Sequence, residues 1–85
     1  MEVAYSPKAM YDLKFWRMSG NKNIQKKISD LIESIQADPF KGLGKPEALK
    51  YDLAGIWSRR INQEHRLVYE VDNNRIFIYS LRGHY

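Results

Sequence analysis

Cysteine is absent from this chain, which removes any disulfide framework and any thiolate metal site. Proline occurs at only 3 positions and glycine at 5, so each break in the pattern carries positional meaning. No apolar run approaches the ~20 residues needed to span a bilayer. The start Met1-Glu2-Val3-Ala4-Tyr5 lacks the basic and apolar regions of a signal peptide, so a cytoplasmic location is expected. There is no internal repeat and no low-complexity linker. The 85 residues therefore predict a single domain spanning residues 1–85, with one modest core that buries roughly 60 to 70% of the unfolded surface. Charge is present in both signs, but 14 Lys and Arg against 10 Asp and Glu leave a net +4. That excess favours an anionic partner, nucleic acid or an acidic protein, without choosing between them.

What is present predicts strand, helix, helix, then sheet. Glu2 to Tyr5 reads as a short strand, stopped by Ser6-Pro7, a helix N-cap followed by proline at the first helical position. A first helix is expected over Pro7 to Met18; its apolar residues Met10, Tyr11, Leu13, Phe15 and Trp16 spread over more than one stripe, leaving one side for a partner. After the break at Ser19-Gly20-Asn21, a second helix from Asn23 to Ala37 spaces Ile24, Ile28, Leu31, Ile32 and Ile35 by three and four residues. Asp38-Pro39 ends it, because proline pushes the preceding residue out of the helical region. Phe40 to Pro46 is a loop, Ala48 to Tyr51 a short strand, and longer strands are expected at Ile56 to Ile61, His65 to Val71 and Ile76 to Leu81. The fold class is α+β, with two N-terminal helices on one face of a mainly antiparallel twisted sheet.

Register carries this fold toward chemistry. The odd positions Trp57, Ile61, Leu67, Tyr69, Val71, Phe77, Tyr79 and Leu81 form an apolar set, which requires turns of Asn62-Gln63-Glu64 and Asn73-Asn74-Arg75. The opposite face then carries Ser58, Arg60, Arg66, Val68, Ser80, Arg82 and His84. Arg59 falls in the apolar phase, where the sequence offers no account of it. The alternating pattern runs into Arg82-Gly83-His84-Tyr85, so an imidazole and a phenol at the chain end are expected to be held by the sheet.

Convergent arginines and a histidine, beside a loop bearing Lys41, Lys45 and then Glu47, suit an RNA phosphodiester. Guanidinium forks match phosphate oxygens, and a fixed positive field stabilises a pentacoordinate transition state. Cleavage without metal also needs a base for the ribose 2′-hydroxyl and an acid for the 5′-oxygen, roles that Glu47 and His84 are able to divide. Each residue also has a plainer reading. Glu47 can be a solvated residue after a loop proline, His84 a chain-end residue, and the arginines one wet face of an antiparallel sheet. Gly42, Gly44 and Pro46 read as turn formers, since the Walker ending of a phosphate loop is missing. Glu64, His65 and His84 lack the spacing of a zinc site.

In order and spacing, Gly42-Leu43-Gly44-Lys45-Pro46-Glu47-Ala48-Leu49-Lys50, then Leu53-Ala54-Gly55-Ile56-Trp57-Ser58-Arg59-Arg60-Ile61, Glu64-His65-Arg66-Leu67-Val68-Tyr69 and the final His84-Tyr85 resemble the YoeB/Txe toxins of the RelE-like toxin–antitoxin endoribonucleases. The resemblance implies a microbial-ribonuclease-like fold that cuts messenger RNA in the ribosomal A site without a cofactor or metal. It places the general base on Glu47, the phosphate-stabilising arginine on Arg66, the general acid on His84 and a terminal active-site tyrosine on Tyr85. Lys50 and Arg60 become supporting cations, and with Lys45 and Arg82 they make the expected RNA contacts. The implied partners are an acidic antitoxin of the YefM/Axe kind, messenger RNA and the ribosome, a second copy of the chain, and operator DNA only through the antitoxin complex, with no membrane. The alternative class is a non-catalytic basic module that merely holds RNA or an acidic protein.

Overall fold

The computed structural model describes residues 1–84. Strand β1 (Glu2–Tyr5) leads into helices α1 (Pro7–Ser19) and α2 (Lys22–Ala37); then come β2 (Glu47–Ala48), a 3-10 turn (Tyr51–Leu53), β3 (Trp57–Arg60), β4 (Arg66–Asp72) and β5 (Arg75–Ser80). The short strand expected at Ala48 to Tyr51 thus starts one residue earlier and gives way to the 3-10 turn. The sheet runs β1-β5-β4-β3-β2, with every pair antiparallel except β1 against β5. Among the described residues no helix is long and apolar enough to cross a membrane.

Both helices begin where side chains satisfy orphan backbone donors. Ser6 Oγ accepts from Ala9 N at 3.0 Å and itself donates to Tyr79 O at 2.7 Å, tying the start of α1 to β5. Asn21 Oδ1 accepts from Ile24 N at 3.1 Å at the start of α2. The α2 stripe Ile24, Ile28, Leu31 and Ile35 is buried as its spacing predicts, against Ile61, Leu67, Tyr69, Ile76, Ile78 and Leu81. Helix α1 buries Ala9, Asp12 and Trp16 but leaves Met10, Tyr11 and Met18 more than half exposed.

The expected register holds for β3 against β4, where Trp57 faces Tyr69 and Arg60 faces Arg66. It fails for β5. The turn is Asn73-Asn74 alone, both at positive φ, and Asp72 pairs with Arg75. Such a tight turn matches the twist of its strands, and asparagine tolerates the left-handed region that it needs. Pairing therefore slips by one residue: Ile76 and Ile78 enter the core, while Phe77 pairs with Glu70 and Tyr79 donates to Glu70 Oε1 at 2.6 Å, raising the Tyr79 phenol above its ordinary pKa. An irregularity opposite Val68 and Tyr69 then adds Tyr79 as an extra residue, restoring the expected phase for Ser80 and Leu81.

Arg59 is fully buried. Its Nε donates to Tyr69 Oη (3.1 Å), Nη1 to Ser34 Oγ (2.8 Å) and Leu43 O (3.0 Å), and Nη2 to Asp38 O (2.7 Å) and Lys41 O (3.0 Å). Tyr69 Oη donates onward to Pro39 O at 2.6 Å; burial pushes this phenol up, against a downward pull from the guanidinium. The loop after α2 is wrapped around one cation. Where it returns to β3, Gly44 sits at φ +84, its carbonyl accepts from Arg60 N at 2.7 Å, and an added Cβ would lie 2.7 Å from Leu31 Cδ2 and 3.0 Å from Arg60 O.

Arg59→Met should therefore strand buried acceptors on every side and cost about 3 to 5 kcal/mol, read as a lower midpoint in urea unfolding. Gly44→Ala should cost about 2 kcal/mol or more from its left-handed backbone and the Leu31 clash. An unchanged midpoint for either variant would contradict these packing arguments.

Candidate functional site

Side chains of paired residues in a sheet stand on one face, so the register decides what meets what. Glu47 pairs with Ser58, Ser58 with Val68 and Val68 with Ser80, which makes one row across four strands; Arg60 paired with Arg66 makes the next. Glu47 is exposed, at the start of β2 immediately after Pro46. Lys50, also exposed, precedes the 3-10 turn.

The cations gather unevenly. Arg60 and Arg66 line a concavity of about 480 Å³ together with Lys45 and Lys27, and among the described residues no carboxylate side chain shares its wall. Lys27 belongs to α2, where sequence periodicity marks it only as part of a solvated face. Arg66 is half-buried, and its Nε is a buried donor with no hydrogen-bond partner among the described residues. A buried orphan donor is costly unless something occupies it. Arg82 does not join this cluster. Its guanidinium lies 3.6 Å over the ring of Phe15 on α1, a cation–π contact at the edge of the domain.

Beyond β5 the chain is held chiefly by α1. The buried Asp12 carboxylate accepts from Leu81 N at 3.0 Å and from Lys8 Nζ at 2.7 Å. Trp16 Nε1 donates to Leu81 O at 2.9 Å, and Lys8 Nζ also reaches Arg82 O at 3.3 Å. Gly83, at φ +87, donates to His65 Nδ1 at 2.9 Å and accepts from Arg66 N at 3.1 Å. That backbone sign favours glycine. His84 follows, exposed; Tyr85, expected beside it, lies outside the described residues. Sequence reasoning passed over Asp12 and weighed His65 only as a metal ligand, since a buried helix acid and a strand-start histidine have no motif for holding a chain end. The signal was the phase of Asp12, which falls between the core residues Ala9 and Trp16.

The family model for the YoeB-like toxin of bacterial type II toxin–antitoxin systems matches residues 5–85. A toxin YoeB from Synechocystis is 46% identical over 85 residues, covering 100% of this chain and 98% of that protein. The YoeB/ParE toxin from Agrobacterium tumefaciens superposes with a TM-score of 0.95 at 42% identity, covering 100% of both chains. The YoeB–YefM complex from Staphylococcus aureus contains a chain that superposes with a TM-score of 0.90 at 48% identity, covering 100% of this chain and 98% of that one. With the match extending from the first strand through the exposed Glu47, the arginine concavity and the clamped tail, this chain belongs to the YoeB-like toxins of bacterial type II toxin–antitoxin systems.

Proposed function

We propose that this toxin is a metal-independent endoribonuclease that cuts messenger RNA on the ribosome and so blocks translation in the cytoplasm. The observation that carries the reading is the Nε of Arg66, orphaned among the described residues, at a concavity whose charged side chains there are all cationic. A scissile phosphate supplies the missing acceptor, and it gains charge in the transition state, where a preorganised donor counts most. Glu47, in the adjoining row, takes the proton of the ribose 2′-hydroxyl. The freed oxygen attacks phosphorus, and the pentacoordinate species spreads its charge toward Arg66. His84 protonates the departing 5′-oxygen, and Tyr85 completes the phosphate site. The products are a 2′,3′-cyclic phosphate and a 5′-hydroxyl. Lys45, Lys50 and Arg60, with Lys27, hold the flanking backbone, while Arg82 acts through Phe15 on the tail and offers RNA only its outer edge.

Arg66→Ala should lower cleavage roughly a hundredfold or more, and Arg66→Lys should recover only part of it, because the fork is lost. Glu47→Gln should abolish turnover while holding RNA at least as well, since it removes a negative charge. Primer extension on messenger RNA in a translating extract, with and without excess chelator in a magnesium-buffered assay that keeps the ribosomes intact, reads all of this. Full cleavage by Glu47→Gln, or 5′-phosphate ends that need metal, would refute the mechanism.

The complex from Staphylococcus aureus pairs a related toxin with YefM, and an acidic antitoxin of that kind is the proposed partner here. Its charged segment covers the arginines, and apolar residues pack on the exposed Met10, Tyr11 and Met18 of α1. Added salt should therefore weaken the complex without abolishing it, because screening leaves the apolar contacts in place. Calorimetric titration at rising ionic strength checks this; an affinity indifferent to salt would contradict it.

A further inference from the structure

A general acid works only where it is held, and a displacement of about 1 Å can cost on the order of 10²-fold in rate. Past Ser80 the chain is fixed from two directions. Asp12, Trp16 and Lys8 of α1 hold the backbone of Leu81 and Arg82. Gly83, the last anchor before His84, depends on β4 and the residue before it: its N–H reaches His65 Nδ1, and its carbonyl accepts from Arg66 N. Of the two bonds at Gly83, only the one to the imidazole has an acceptor that a proton can remove.

We propose that His65 is a positioning residue for His84, acting through the Gly83 amide, and that it works only while Nδ1 is unprotonated. The proposal rests on the ribonuclease reading of His84. The ring is already aimed: it packs edge-on against Trp16, centroids 4.9 Å apart at 78°, and Trp16 is itself bonded to Leu81. With Nδ1 accepting, the neutral ring carries its proton on Nε2. A second proton turns Nδ1 into a donor facing the Gly83 donor, and the anchor opens. Among the described residues, the titratable and charged groups around the ring are Lys8 and Asp12 of α1, paired at 2.7 Å, Tyr11 beside them, Arg82 of the tail stacked on Phe15, and in sequence Glu64 before it and Arg66 after it. Acid therefore loosens the residue that carries His84 while Leu81 stays tied to α1.

Nitrogen-15 NMR of the wild-type toxin at neutral pH should show an unprotonated Nδ1 and a protonated Nε2 on His65, and the Gly83 amide should exchange more slowly than that of His84. His65→Leu keeps bulk against Trp16 and removes the acceptor. Its kcat should fall roughly 10- to 100-fold with KM for the message nearly unchanged, and exchange at Gly83 should quicken. His65→Asn places Oδ1 near the position of Nδ1 but does not titrate; it should recover most of the neutral-pH rate and hold it further into acid than the wild type does. A protonated Nδ1 in the wild type overturns the proposal, as does wild-type kcat in His65→Leu with a freed Gly83 amide. If His65→Leu does not fold, the wild-type ring and the acid limb of His65→Asn decide the matter. A wild-type toxin that cuts no message would instead defeat the ribonuclease reading, leaving the ring state and the Gly83 exchange to show whether the anchor exists.

Discussion

A cation buried without a carboxylate needs its compensation elsewhere, and Arg59 takes it from the end of α2. The last carbonyls of a helix lack partners and carry the negative end of its dipole. Asp38 is the C-cap of α2, and its carbonyl is one of the acceptors that Arg59 gathers, with Ser34, Lys41 and Leu43 supplying others and Tyr69 the last. One planar group thereby joins α2, the returning loop, β3 and β4. The loop runs directly into Pro46 and Glu47, so the exposed carboxylate takes its position from an interaction made on the opposite side of the sheet. A lysine, with a point charge and no fork, has no way to span these acceptors.

Adjacent arginines on β3 point to opposite faces because side chains alternate. Arg59 goes inward to the loop and Arg60 outward to the concavity shared with Arg66. The alternation was legible in the sequence, and so were the cap at Ser6, the α2 stripe, and the row that sets Ser58 beside Val68. The reason for an inward arginine was not, because its acceptors are backbone atoms of a loop whose path no periodicity records. The phase of β5 was hidden for a different reason. Asn73-Asn74 and Asn73-Asn74-Arg75 differ by one residue in a run where Ile76, Phe77, Ile78 and Tyr79 are all apolar, so both phases look equally hydrophobic. The added Tyr79 then returns Ser80 to its expected partner, Val68. An error in the middle of the strand therefore left its end correctly placed.

The arginine face divides along the same lines. Sequence phase grouped Arg82 with Arg60 and Arg66, but Arg82 follows the last residue of β5, and alternation has no authority beyond the strand. There the path is set by Asp12 and Trp16, whose bonds to Leu81 carry the chain past α1 and lay Arg82 on Phe15. Polar groups on the buried side of α1 thus do for the tail what Arg59 does for the loop: they accept or donate to backbone that lacks a sheet neighbour. His84 and Glu47, the acid and base of the proposed function, come from different segments, each steered by a buried polar contact.

The parallel pairing of β1 with β5 has a consequence for the order in which this protein becomes itself during synthesis. Ser6 N donates to Ile78 O, and Glu2 stands opposite Arg75, so the earliest strand made has its sheet neighbour in the last. Until β5 has cleared the exit tunnel, β1 has no partner, Ile76 and Ile78 are missing from the core, and α1 has no Leu81 to hold. Such distant contacts form late because a long chain must be closed before they give anything back. A ribosome translating this message therefore carries a nascent chain with helices but no finished arginine face, and under the proposed function that one molecule leaves its own template uncut for as long as it remains incomplete.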